Sequence, residues 1–216
     1  LACQIGAILR MKSSARITAR KTAAHLRKQH CACGNADDAD GHAHLAQLKA
    51  VRPGGAFKLL AERIGQGGTT SVLVDTGPDL RDQLLTADVT RLDAALITHE
   101  HADHTHGLDD IRPIVLHMRR ILPVYMDQVT SDQMHRKFGY CFTTPEGSSY
   151  PPIAREFRIV PGHQIAIEGP GGDVAVDAFT LHHGEIDALG FRLLRWSASV
   201  STARPAMVCT AMMVVY

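Results

Sequence analysis

The stretch "ITHEHADHTHGLDD" (residues 97–110) sets His99, His101, His104 and His106 among the acidic side chains Glu100, Asp103, Asp109 and Asp110. Imidazoles and carboxylates hold zinc and similar divalent ions, and catalytic sites of that kind keep one coordination position open for water. Two histidines separated by one residue on a loop, His99 and His101, can both face one ion. Asp103 and His104, adjacent and offset from them, can face a second. Two ions about 3.5–4 Å apart clamp the attacking and leaving oxygens of a displacement at phosphorus. A solvated histidine-rich loop is the plain alternative, but the frame around the cluster is specific. The apolar run "LDAALIT" (92–98) leads in as a strand, and Gly107 leads out.

Outward from the cluster, the chain alternates strands and helices. "SVLVD" (71–75) is a β-branched apolar run that stops at a turn, and "DLRDQLLTADV" (79–89) spaces Leu80, Leu84 and Leu85 as a helix with Asp79 as N-cap. "LDDIRPIVLHMRR" (108–120) reads as a helix with Pro113 in its first turn or at a kink. "LPVYM" (122–126) reads as a strand, and "TSDQMHRKFG" (130–139) as a helix preceded by Thr130 and ended by Gly139. After a Pro-rich loop (143–152), "FRIV", "QIAIE", "DVAVDAFTL" and "ALGFRL" read as successive strands with turns such as "GPGGD" (169–173). No clear strand is legible before Phe57.

The chain has 216 residues, enough for one domain with a sizeable core. Its formal charge of +1 hides three blocks. Residues 1–58 carry ten Lys/Arg against three Asp, residues 59–191 ten against nineteen Asp/Glu, and residues 192–216 three Arg and no acid. Such blocks indicate parts with different jobs or origins. No run approaches the ~20 apolar residues that span a bilayer. The opening "LACQIGAILRMKSSARITARK" puts its apolar part before its basic part, the reverse of a secretory signal, though its Arg-rich, acid-free character is shared with organelle transit peptides. Five scattered cysteines argue against a disulfide framework and for a reducing cytoplasm.

"THEHADHTHG" (98–107) matches the H-x-H-x-D-H signature of the metallo-β-lactamase-fold hydrolases. Asp75 in "SVLVDTG" resembles an earlier motif, whose aspartate supports the metal loop from behind the ligands. "LHHGEIDALGFRL" (181–193) resembles the next, in which a histidine between strands completes the first metal site. His183 is a better match to it than His182, and strand alternation lets only one of them face the site. The wording "DTGPDLRDQLL…THEHADHTHGLDDIR" looks most like the phosphoribosyl 1,2-cyclic phosphate phosphodiesterase subgroup, from the carbon–phosphorus lyase pathway of phosphonate metabolism.

The resemblance implies an α/β fold, a four-layer αββα sandwich spanning residues 57–193. Residues 1–56 match poorly and residues 194–216 form an atypical tail, so the sandwich is expected to be open to being incomplete at both ends. It further implies a hydrolase with two divalent ions, Zn²⁺ or Mn²⁺. His99, His101 and His183 would hold the first ion, and Asp103 and His104 the second, with Asp103 in the catalytic role. Asp75, His106 and His182 would stand behind the ligands. The nucleophile would be a metal-bound hydroxide acting on the phosphodiester of a small cyclic phosphate. A tRNA-processing-type nuclease is the enzymatic alternative, and a catalytically impaired hydrolase-fold binding protein the other. A cytoplasmic location, a small phosphate-ester partner and no membrane follow from the same reading; nucleic acid is not expected, and a homodimer is compatible with it.

Bland readings stand beside several of these residues. Asp75 could be a turn residue, His106 a phosphate contact or a solvated side chain, and Asp109 and Asp110 the acidic start of a helix. His117, His135 and His163 read as bystanders. "HCAC" (30–33) with "HAH" (42–44) could make a small zinc site, although C-x-C is shorter than the usual spacing. The basic stretch 10–28 lacks the interleaved aromatics of a base-stacking surface. The family also uses a bridging aspartate and a C-terminal histidine, yet no Asp, Glu or His follows Asp187. That loss and the change in composition suggest frame-shifted or truncated sequence in the tail, at most one tightly held ion, and weak activity. The fold itself predicts two sheets packed face to face, with Leu73, Leu96 and Ile97 buried between layers.

Overall fold

The run "SVLV" is apolar on both faces of its strand because both faces are covered. In the structure, a computed structural model describing residues 58–195 with the strand segments 28–29, 42–48 and 211–212, Val72 and Val74 enter one core and Leu73 the other. The elements in chain order are β1 (Lys28–Gln29), β2 (His42–Leu48), β3 (Lys58–Gly65), β4 (Gly68–Val74), α1 (Leu80–Thr86), β5 (Ala94–Leu96), α2 (Ala102–Thr105) and a 3-10 turn (Leu108–Ile111). They continue with α3 (Arg112–Met118), β6 (Leu122–Met126), α4 (Gln128–Phe142), β7 (Ala154–Arg158), β8 (Gln164–Ile167), β9 (Val174–His183), β10 (Ile186–Arg195) and β11 (Ala211–Met212).

Strands β1 to β7 form one sheet in sequence order, antiparallel from β1 to β4 and parallel from β4 to β7. Strands β8 to β11 form an antiparallel sheet. The two sheets pack face to face: Val72, Val74, Ala94 and Leu96 of the first meet Val174, Val176, Leu189 and Phe191 of the second. On the other face of the large sheet, Leu73, Ala95, Ile97 and Val124 meet Leu80, Leu84, Ile111 and Met134 from the helical layer. Leu73, Leu96 and Ile97 are fully buried, as the two-sided strands require. Helices, large sheet and small sheet give three of the four expected layers among the described residues.

Several local expectations are corrected. A strand, β2, precedes Phe57 and pairs with β3 over its whole length. Helix α4 starts earlier than Thr130, because Asp127 accepts the Thr130 amide at 2.8 Å and caps it. It also runs through Gly139 to Phe142, its backbone breaking instead at Phe138 (φ −132°, ψ 29°). Asp79 occupies the N-cap of α1, but its side chain makes no capping hydrogen bond. Pro113 does sit in the first turn of α3, after the 3-10 turn that holds Asp109 and Asp110. "HCAC" lies outside the described residues, and "HAH" begins β2, where only the backbone is described.

Candidate metal centre

The two parallel strands β4 and β5 end side by side, and each releases one of the loops that build the site. Asp75 follows β4 and donates its amide to Leu96 O at 2.8 Å. The loops are then laced together, with the Thr76 amide on His104 O (2.7 Å) and the Gly107 amide on Thr76 O (2.6 Å). Gly107 is required there, because a Cβ would collide with the Gly77 carbonyl oxygen. Asp75 itself adopts φ +62°, a left-handed conformation that non-glycine residues seldom take and that costs about 1–3 kcal/mol. In return its carboxylate turns inward, fully buried, beneath the histidine loop.

His99 is buried just beyond the end of β5, while His101, exposed, occupies the N-cap position, without a side-chain capping bond, of the single turn of α2 that carries Asp103 and His104. His183 arrives from the other sheet, at the tip of the β9–β10 hairpin, where Gly184 (φ +63°) makes the two-residue turn. One ligand atom from each of His99, His101 and His183 lies within 4.8 Å of the others. The ring of His99 is 4.6 Å from that of His101, 4.2 Å from His104 and 4.9 Å from His183, centroid to centroid.

Two observations test whether a cation fits here. The Nε2 atom of His99 is buried and has no hydrogen-bond partner. A buried polar atom without a partner is costly, and a metal ion among three imidazoles relieves it. Burial, together with the neighbouring His104 and against the pull of Asp75, lowers the His99 pKa from 6.5 to about 4, so its ring is neutral and offers a lone pair. In the second place, His104 Nδ1 is hydrogen-bonded to Asp75 Oδ2 at 2.7 Å, and its Nε2 lies 3.2 Å from Asp103 Oδ2. With the ring proton on Nδ1, two acceptors face each other there, an arrangement that a proton or a metal ion must bridge. The donor set suits Zn²⁺ or another His/Asp-binding divalent ion.

The other residues fall differently. His182 is corrected: it points away, 92% exposed, and pairs with Asp187, its cross-strand partner, at 2.7 Å. His106 is exposed, with its ring edge-on to Phe138 at 5.4 Å and Nδ1 3.1 Å from Thr105 Oγ1, rather than behind a ligand. Asp109 pairs with Arg112 at 2.7 Å, and His135 with Glu156 at 2.6 Å. Sequence reasoning missed Thr98, whose hydroxyl lies between Asp75 and His99. It also missed Lys137, which donates to Glu100 O at 2.8 Å and, with Phe138, seats the break of α4 on the metal loop. Burial pushes the Cys141 thiol up to about 12, which disfavours its thiolate form. No described helix is long and apolar enough to cross a membrane.

Known proteins resemble the chain in the same region. An octanoyltransferase of Porphyromonas gingivalis (strain ATCC BAA-308 / W83) is 35% identical over 124 residues, 56% of this chain and 23% of that protein. A ribonuclease Z of Bradyrhizobium sp. (strain ORS 278) is 29% identical over 135 residues, 60% of this chain and 42% of that protein. The crystal structure of a diphosphatase from the PhnP family is 27% identical with a TM-score of 0.50, covering 62% of this chain and 48% of that one. The chain therefore spans less than half the length of each of these relatives. Residues 70–203 match the family described as the beta-lactamase superfamily domain. With that match laid over the paired sheets and the histidine loop, the chain belongs to the beta-lactamase superfamily, and its fold is the metallo-β-lactamase fold.

Proposed function

We propose that the chain is a metal-dependent hydrolase that cleaves the phosphodiester of a small cyclic phosphate. The observation that carries this is the convergence of ligand atoms from His99, His101 and His183 to within 4.8 Å, with the Nε2 of His99 buried and unpartnered. His99, His101 and His183 would hold one divalent ion, and Asp103 and His104 a second. When bound, such ions supply Lewis acidity and a water of lowered pKa. The protein's share is positional. Neutral His99 stays available as a lone-pair donor, Asp75 keeps His104 turned toward Asp103, and the exposed side of the cluster leaves room for a substrate. Asp103, with its side chain 63% exposed, is the carboxylate placed to meet substrate and to accept a proton there.

The choice of phosphorus chemistry is supported by the names of two relatives, a PhnP-family diphosphatase and a ribonuclease Z. Of these the first favours a small substrate and the second a tRNA-processing-type nuclease. The partner is read as a small phosphate ester met in the cytoplasm. The test is turnover by the purified chain with Mn²⁺ or Zn²⁺, offered a ribose cyclic phosphate, a chromogenic phosphodiester, a diphosphate and a precursor tRNA. Metal-dependent cleavage of the cyclic phosphate, lost in His99→Ala, is expected. Cleavage of the tRNA alone would favour the nuclease, and metal binding without turnover of any of them a binding protein.

A further inference from the structure

Thr98, between the strand β5 and the first histidine of the loop, has each of its polar groups engaged. Its amide donates to Asp75 Oδ1 at 2.8 Å. Its carbonyl accepts the Leu189 amide at 2.8 Å, which fastens β10, and with it the hairpin of His183, to the metal loop. Its hydroxyl lies 3.0 Å from both Asp75 oxygens and 2.9 Å from His99 Nδ1. A hydroxyl has a single proton, and a carboxylate can only accept. The proton is therefore directed to Asp75, and the contact with His99 requires Nδ1–H as the donor. The lone pair of His99 must then sit on Nε2, the buried atom that has no hydrogen-bond partner.

We infer that Thr98 is a positioning residue whose hydroxyl, polarised by Asp75, locks His99 in the Nδ1–H tautomer and points its Nε2 lone pair into the histidine trio. The same carboxylate sets His104 by a different route, accepting its Nδ1–H directly at 2.7 Å. One buried aspartate thus orients an imidazole in each half of the cluster, through Thr98 for one and without it for the other. A hydrogen-bond partner on the far nitrogen is how a metal-facing histidine is usually fixed in tautomer and ring angle. The inference rests on the proposed reading of His99 as a ligand, but its tautomer is read with neither metal nor substrate present.

The experiment is long-range proton–nitrogen NMR correlation of the histidine rings in the metal-stripped full chain, comparing wild type, Thr98→Ser and Thr98→Val. His99 is expected to carry its proton on Nδ1 in wild type and in Thr98→Ser, and to lose that preference in Thr98→Val. His104 should keep Nδ1–H in all three. Zn²⁺ affinity, measured against a competing chelator, should fall about 10–100-fold in Thr98→Val and stay near wild type in Thr98→Ser. A proton on His99 Nε2 in wild type would overturn the inference, as would a Thr98→Val chain with unchanged tautomer and Zn²⁺ affinity. If the valine variant does not fold, the serine variant decides: loss of the Nδ1–H state there assigns the role to the methyl group and sinks the hydroxyl relay. Absent phosphodiester turnover with the tautomer and Zn²⁺ affinity as expected would count against the proposed reaction and leave the relay standing.

Discussion

His99, His101 and His183 on one side, and Asp103 and His104 on the other, form the two halves of the cluster, and they are built differently. The trio draws on both sheets, so its closure to within 4.8 Å depends on how the sandwich packs. The pair comes from adjacent residues in one turn of α2, so its 3.2 Å approach is nearly a local property. What the two share is Asp75, reached directly by His104 and through Thr98 by His99. The difference teaches that a local motif can present ligands, whereas a site with three converging imidazoles needs the tertiary fold to deliver the last one.

Removing His99 should break the comparison outright. His99→Ala takes away the buried member of the trio, and Zn²⁺ affinity should fall by more than the ~10–100-fold typical of groups behind the ligands. Competition with a chelator reads it; an unchanged affinity would remove the trio from the account. Asp75→Asn should come next, at about 10–100-fold, and should disturb the NMR signals of both His99 and His104, because it serves both halves. Disturbance of one alone would show that the carboxylate is not shared. Asp103→Asn should sharpen the contrast further. It should reduce phosphodiester turnover while leaving the tight Zn²⁺ equivalent of the trio in place, since Asp103 belongs only to the pair.

A smaller effect follows from the buried ring of His99. Its pKa in the folded, metal-free chain is about 4, below the ordinary 6.5, so the unfolded chain binds the proton more readily. The contribution of the neutral ring is therefore present above pH 6.5 and lost as pH falls through that value toward 4. Urea unfolding of the chelator-treated chain across this window should show stability falling with acidity, less steeply in His99→Gln. A steeper dependence in the variant would contradict the assignment. His117→Ala should change neither metal content nor turnover, and any loss there would break the separation of ligands from bystanders.

The order of strands and helices from "SVLV" (71–74) to "ALGFRL" (188–193) was legible because the chain writes it twice, in apolar periodicity and in turn residues, whereas strand β3 before it was not read. "SVLV" reads as buried on both faces and is. The trio's first two members were legible from the spacing of "HEH", but the choice between His182 and His183 was not a matter of spacing. Alternation says that only one faces the cluster; the pairing of His182 with Asp187 across the hairpin shows which. Thr98 escaped notice because a threonine ending a strand looks like an ordinary β-former, and only the position of Asp75 gives its hydroxyl a task. Gly139 was misread as a helix stop, since a glycine inside a helix costs only about 1 kcal/mol and the contacts of Lys137 and Phe138 with the metal loop carry α4 past it. Strand β2 has no clean alternation in "HAHLAQL", and it is placed by pairing with β3.

The measurement that bears most directly on the centre is Zn²⁺ titration of wild type, His183→Ala and His182→Ala side by side, with bound metal per chain determined by elemental analysis. The two histidines are neighbours on β9 and differ in the face they take. The account predicts one tight equivalent in wild type, its loss in His183→Ala, and its retention in His182→Ala. Equal occupancy in wild type and His183→Ala, or loss in His182→Ala, would contradict it.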